Sequence, residues 1–319
     1  MTDRQMLDWS IDGNDWPNRS MSRFVQTRDV DWHVQIGGQG DAMLLLHGTG
    51  ASTHSWRDLL QRLSGRLTVV APDLPGHGFS RARGESSMSL PGMARAVADL
   101  LGELRIRPMA VVGHSAGAAI AARMMLDGLI APARFIAINP ALLPLGGAAS
   151  PVLALTAGLL TRADWVARVF SHLASDPGAV RRLVDSTGSR LDERGLALYR
   201  RVIATPAHVS GTLAMMANWD LRSLIDRLPG LAVPTFFILG ANDRTIPAVR
   251  GRRVARQLRV PPDHLRVLPG CGHLVHEERP DEVASLLMAW ALGEAGQTTG
   301  TAGQDGDIRH VDKQPLTAP

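Results

Sequence analysis

One pentapeptide constrains this chain more than any other feature: Gly113-His114-Ser115-Ala116-Gly117, a G-x-S-x-G that follows the apolar run Met109-Ala110-Val111-Val112 and precedes an alanine-rich helical stretch. Strand, sharp turn and helix in that order place a serine at the tip of a strained corner. A corner that tight closes only if the residues two before and two after the serine carry almost no side chain. Ser115 is therefore the candidate nucleophile. The pattern alone is common, and its bland reading is a tight turn with an incidental serine. Its context decides between them.

A serine nucleophile needs a base, a group that orients the base, and donors for the developing oxyanion. Each has a candidate at the end of an apolar run. Thr235-Phe236-Phe237-Ile238-Leu239-Gly240 leads into Ala241-Asn242-Asp243, and Leu265-Arg266-Val267-Leu268 leads into Pro269-Gly270-Cys271-Gly272-His273. Ser115, Asp243 and His273 thus follow the chain order Ser, Asp, His of the α/β-hydrolase sheet. In this reading His273 is general base and then general acid, and Asp243 fixes its tautomer. Met43-Leu44-Leu45-Leu46 runs into His47-Gly48-Thr49-Gly50, a glycine-flanked turn. The backbone amides of Thr49 and Ala116 are the expected oxyanion hole.

Rivals exist for two of these positions. Asp73, in Asp73-Leu74-Pro75-Gly76-His77-Gly78, comes too early in the order and reads as part of a structural turn. His276 lacks a preceding glycine and falls at the entry to a terminal helix. Epoxide hydrolases and dehalogenases of this fold carry an aspartate at the elbow, where this chain has serine.

The 319 residues, 45% hydrophobic and 20% charged, belong to a soluble globular protein with one large core. Apolar runs near 31–36, 43–46, 67–71, 109–112, 134–138, 235–239 and 264–268 predict strands. Helical periods alternate with them: Trp56, Leu59, Leu60, Leu63; Met93, Val97, Leu100, Leu101, Leu104; Val283, Leu286, Leu287, Trp290. The expectation is a mostly parallel, doubly wound sheet with helices on both faces, an α/β-hydrolase fold. Residues 21–140 and 234–292 make that core. Residues 141–233, helical in pattern and without a convincing strand, are expected as an inserted cap over the carboxyl ends of the strands, where ligands bind. Polar segments 1–20 and 293–319 are expected to be flexible and disordered, respectively. Met215, Met216 and Trp219 of the cap, with His47 and His114 beside the motifs, are the candidate pocket lining. Methionines adapt to large apolar ligands, so an apolar substrate is favoured.

Other classes find little support. No run of eighteen apolar residues predicts a membrane span, no apolar segment after Met1 predicts a signal peptide, and the single Cys271 fits a reducing compartment; a cytoplasmic location follows. The basic residues are arginines apart from Lys313. One run, Arg250, Arg252, Arg253, Arg256 and Arg259, reads as a solvated helix face, and nothing else suggests nucleic acid. No His, Cys, Asp and Glu set has metal-ligand spacing, and no cofactor motif is present.

Beyond these generic motifs the sequence resembles the magnesium chelatase accessory protein (BchO) family of bacteriochlorophyll-synthesising bacteria. The segments that carry the resemblance are Asp31-Trp32-His33-Val34-Gln35, HGTGASTHSW at 47–56, DLPGHGFS at 73–80, SLPGMA at 89–94, Ser186-Thr187-Gly188-Ser189, and Met215-Met216-Ala217-Asn218-Trp219-Asp220-Leu221. Together they span about residues 16 to 292. The resemblance implies a role beside Mg²⁺ insertion into protoporphyrin IX in pigment synthesis for photosynthesis. It implies magnesium chelatase subunits as partners, a tetrapyrrole-like or apolar ester as ligand, and the photosynthetic membrane surface as an alternative location. Two functions stay open from sequence: a serine hydrolase acting on an apolar ester, and a non-catalytic tetrapyrrole-binding or chaperone-like accessory.

Overall fold

The computed structural model describes residues 5–144 and 176–293. Among the described residues nine strands form one sheet: β1 Ser22–Gln26, β2 Val30–Gly37, β3 Ala42–Leu46, β4 Thr68–Pro72, β5 Arg81–Ala82, β6 Ala110–His114, β7 Arg134–Ile138, β8 Thr235–Gly240 and β9 Leu265–Leu268. Their order is β1-β2-β4-β3-β6-β7-β8-β9, with β5 pairing β2. From β4 to β9 every pairing is parallel, and β2 joins β1, β4 and β5 antiparallel. The seven apolar runs read as strands from the sequence are β2, β3, β4, β6, β7, β8 and β9.

The parallel strands read as nearly unbroken apolar runs because both faces are covered. Leu44, Leu46, Val111, Phe135, Ala137 and Phe237 pack on one face with helices α2 (Leu90–Glu103) and α3 (Ala116–Leu126). Met43, Leu45, Val112, Ile136 and Ile138 pack on the other with Leu59, Leu60 and Leu63 of α1 (Arg57–Leu63) and with a C-terminal helix through Val283, Leu287 and Trp290. Each such side chain contributes roughly 1.5–3 kcal/mol on burial, so a slip of one residue in register would reverse both faces at heavy cost.

The chain leaves β3 for β4 on one side and returns past it to β6 on the other. The loops after β3 and β6 therefore lie side by side at the carboxyl edge, the place where such sheets bind ligands. Between β7 and β8 the described part of the insertion forms α4 Pro177–Ser186, α5 Glu193–Ile203, α6 Pro206–Ala217 and α7 Arg222–Arg227. After β8 come α8 Ala248–Gln257, and after β9 come α9 Val275–Glu278 and α10 Pro280–Leu292, the C-terminal helix of the second face. Asp176 and Asp192 cap α4 and α5 through bonds to the amides of Gly178 and Gly195. The apolar stretches at 152–160 and 165–170, and the tail 294–319, lie outside the described residues. Arg252, Arg253 and Arg256 of α8, and Arg259 just after it, are exposed.

The amino-terminal segment differs from expectation. From residue 5 onward it is packed, not loose: Leu7 and Trp16 are buried, Trp16 Nε1 donates to Thr53 Oγ1 at 3.1 Å, and Arg201 of α5 pairs with Asp15 at 2.6 Å. Two apolar anchors in an otherwise polar, turn-rich stretch are enough to strap it down, and they carry no period that a sequence reading could detect. β1, a half-exposed edge strand, escaped for the same reason.

Candidate active site

Ser115 sits between β6 and α3 with φ 53° and ψ −116°, a backbone state that a non-glycine residue adopts only under constraint. The constraint is visible around it. Its amide donates to Ile138 O at 3.0 Å, and its carbonyl accepts from the amides of Ala118 and Ala141. A Cβ at Gly113 would come within 2.4 Å of Ala118 Cα, and one at Gly117 within 2.1 Å of Leu46 O. The two glycines of the motif are thus demanded by close approach, as the spacing predicted. Ala116, at the first position of α3, has an amide without an intrahelical acceptor.

The loop after β3 passes directly beside the serine: a Cβ on Gly48 would lie 3.0 Å from both Ser115 Cβ and His114 Nδ1. This brings the turn that holds Thr49 to the N-terminus of α3, where Ala116 begins. His47 shapes the turn. The amide of Leu74 donates to His47 Nε2 at 2.9 Å, which leaves Nδ1 to donate to Gly48 O at 2.8 Å. Burial holds His47 below its ordinary pKa, against the pull of Asp73. Both ring nitrogens being engaged with backbone, His47 is a scaffold for the loop.

On the far side, His273 Nδ1 donates to Asp243 Oδ2 at 2.8 Å. The other oxygen, Oδ1, accepts from the amides of Thr245 and Ile246 at 2.8 Å each. Asp243 is therefore fully occupied and cannot rotate away. The carbonyl of His273 accepts from His114 Nε2 at 2.9 Å and Asn139 Nδ2 at 2.8 Å, and the His114 and His273 rings stand 4.8 Å apart. His114 at the end of β6 and Asn139 just after β7 thus hold the histidine loop. Burial, then the neighbouring His276 and His273, keeps His114 well below its ordinary pKa. No hydrogen bond joins Ser115 Oγ to His273. In ligand-free sites of this kind that contact is often long and tightens only around substrate.

The rival residues have other duties. Asp73, fully buried, accepts from His33 Nδ1 at 2.8 Å, the Thr53 amide at 2.6 Å and the Phe79 amide at 2.9 Å. Burial would raise its pKa, but His33, His47 and the Phe79 amide together outweigh it and hold the carboxyl well below the carboxylate range. His276 Nε2 bonds Ser55 Oγ at 2.7 Å, with Trp56 beneath its ring. Among the cap residues, Met215 is fully buried and its sulfur accepts from Thr49 Oγ1 at 3.7 Å. Trp219 is partly buried against the core, and Met216 is 61% exposed. The sequence reading missed Asn139, Ser189 and the Glu277 cluster. Ser189 Oγ accepts from the amide of Leu274 at 2.7 Å, and Thr187 O accepts from the amide of Arg244. Glu277, raised in pKa by burial despite Arg57, pairs with Arg57 and accepts from Tyr199 OH at 2.8 Å. For Asn139 a polar residue between an apolar run and Pro140 was a usable signal; for the others no local pattern existed.

A cleft of about 780 Å³, lined by Trp9, Phe24, Trp32 and Arg81, lies along β1 and not at Ser115. No group of three His, Cys, Asp or Glu among the described residues could hold a metal ion. No described helix is long and apolar enough to cross a membrane.

A sheet of this order with a serine elbow after β6 and an Asp–His pair after β8 and β9 is the arrangement of the α/β hydrolases, and the alpha/beta hydrolase family model matches residues 43–286: the chain belongs to that family. Within it, the magnesium-chelatase 30 kDa subunit of Rhodobacter capsulatus is 40% identical over 280 residues, covering 87% of this chain and 97% of that protein, which makes this chain a member of the magnesium chelatase accessory (BchO) group. The pimeloyl-[acyl-carrier protein] methyl ester esterase of Nitrosomonas europaea is 28% identical, covering 81% of this chain and 98% of that one. Two solved structures share the fold. An alpha/beta hydrolase fold protein from Burkholderia ambifaria has a TM-score of 0.70 at 24% identity, covering 89% and 99% of the two chains. The epoxide hydrolase CorEH has a TM-score of 0.69 at 21% identity, covering 86% and 99%.

Proposed function

We propose that this protein is a serine hydrolase acting on an ester of an apolar substrate, and that it serves as an accessory in magnesium chelation for bacteriochlorophyll synthesis. The observation that carries the reading is the Asp243–His273 bond of 2.8 Å at the same edge of the sheet as a serine held at φ 53°. Ser115 Oγ attacks the ester carbonyl carbon while its proton passes to His273 Nε2. The negative oxygen of the tetrahedral intermediate accepts from the amides of Thr49 and Ala116. Collapse breaks the bond to the alkoxy oxygen, which takes the proton from His273. Water, deprotonated by the same nitrogen, then releases the acid and restores the serine. Asp243 keeps the imidazole in the tautomer this sequence requires. An apolar substrate is the expectation drawn from the methionines of α6, of which Met215 packs beside Thr49. The role in chelation rests on the 40% identity with the magnesium-chelatase 30 kDa subunit, and so do chelatase subunits as partners and a site of action in the cytoplasm or at the photosynthetic membrane.

A second reading, a tetrapyrrole-binding accessory without obligatory chemistry, draws on the 40% identity with the magnesium-chelatase 30 kDa subunit. Fluorophosphonate labelling separates the two. Modification at Ser115, located by peptide mass spectrometry and lost in Ser115→Ala and His273→Ala, is the expected result. A folded protein that takes no label would favour the accessory.

A further inference from the structure

The candidate oxyanion loop is held from above by one helix of the insertion. His208, in the first turn of α6, is buried and uses both ring nitrogens on backbone: the Gly78 amide donates to Nδ1 at 3.0 Å, and Nε2 donates to Gly50 O at 3.1 Å. An amide N–H pointing at Nδ1 requires a lone pair there, so the ring is the neutral Nε2–H tautomer. Burial lowers its pKa to about 4, which preserves that tautomer throughout the neutral range. Neither nitrogen is left for a substrate or a metal. Further along α6, Met215 receives the Thr49 hydroxyl. Between these two contacts Gly211 backs onto Gly76, where a Cβ would lie 2.0 Å from Gly76 O. The helix is thus seated on the loops after β3 and β4, backbone against backbone at Gly211.

We propose that His208 is a positioning residue for the Gly48-Thr49-Gly50 turn. By tying the Gly50 carbonyl to the Gly78 amide through one ring, it fixes the direction of the Thr49 amide. The seating of the insertion is thereby coupled to oxyanion stabilisation, not only to substrate binding. This rests on the reading of Ser115 as nucleophile and of the Thr49 amide as its oxyanion donor.

His208→Phe keeps the ring volume and removes both bonds, whereas His208→Gln offers one acceptor and one donor. With p-nitrophenyl acetate as substrate, His208→Phe should lower kcat about tenfold or more with KM within about twofold, because a misaligned donor weakens the transition state and spares ground-state binding. Affinity for phenylboronic acid, whose serine adduct is tetrahedral, should fall in parallel. Hydrogen exchange of peptides covering 48–51 should accelerate, and His208→Gln should recover most of each effect. The proposal is overturned if kcat is unchanged, if only KM moves, or if Gln is no better than Phe. Should His208→Phe fail to fold, Met215→Leu, similar in volume but without the thioether acceptor, carries the same kinetic and exchange readouts. Absence of fluorophosphonate labelling in the wild-type protein would sink the hydrolase reading alone. Exchange at 48–51 would then still decide whether His208 holds the loop.

Discussion

The described residues contain two buried Asp–His pairs of the same length. His33 Nδ1 meets Asp73 at 2.8 Å near the antiparallel edge of the sheet, and His273 Nδ1 meets Asp243 at 2.8 Å at its carboxyl edge. They differ at the second nitrogen. His33 Nε2 is spent on Ser22 Oγ at 3.0 Å and the side chain is fully enclosed, whereas the His273 side chain is 9% exposed and no described residue bonds its Nε2. Asp73 also ties down the Thr53 and Phe79 amides, which makes it a hub for three loops. An Asp–His bond is therefore not in itself a catalytic signal. What distinguishes the second pair is an uncommitted nitrogen on the same side of the sheet as a strained serine.

Substitutions can break the comparison. The largest effect expected is that of Ser115→Ala, which should reduce ester turnover by about 10⁴-fold or more without loss of fold. Asp243→Asn comes next: its Oδ1 still accepts the Thr245 and Ile246 amides, so the thermal midpoint should barely move. Its amide forces the wrong tautomer on His273, and kcat should fall by about 10⁴-fold. The matching Asp73→Asn should do the reverse, costing about 3–5 kcal/mol in urea unfolding through a broken buried pair while kcat of the folded protein stays within a few-fold. Equal kinetic losses in both variants would erase the distinction drawn here.

Acid sharpens it further. Burial depresses the pKa of His47, His54, His77, His114 and His276, and of His208 to about 4. Below the unfolded value near 6.5 the unfolded chain takes up protons that the folded chain refuses, so stability falls as pH drops from about 6.5 towards 4. For His208 the loss at pH 5 is about 2 kcal/mol, and His208→Gln should flatten the slope by that amount in denaturation series at pH 8 and 5. Asp73 has the same sign but a lower pH window. Its stabilising contribution is intact above the unfolded carboxylate value and disappears only as pH falls below about 4, so the two groups define separate acid phases. The smallest effect is that of Tyr199→Phe, which removes one hydrogen bond to Glu277 and should cost about 1–2 kcal/mol with kcat unchanged.

The contrast also explains what could be read in advance. Ser115, Asp243 and His273 stand at the ends of apolar runs beside glycines, and such punctuation is local, so the strands and the candidate triad are visible in the chain itself. Asn139, Ser189, His208 and Glu277 act across separations of 78 to 158 residues. No period or spacing reports a contact of that kind. The amino-terminal strap shows the same limit, since Leu7 and Trp16 become apolar anchors only once Phe79 and α5 are in place beside them.

The turn at Gly188 has a consequence for any attempt to alter the substrate. With φ +85°, a side chain there would strike Asn242 O at 2.0 Å, and one at Gly272 would strike Gly188 itself at 2.2 Å. The insertion and the loops of Asp243 and His273 are thus interleaved backbone to backbone. A chimera that exchanges the insertion with that of another hydrolase must transplant 186–189 together with 241–244 and 270–274, or it will dislodge the chemistry along with the specificity.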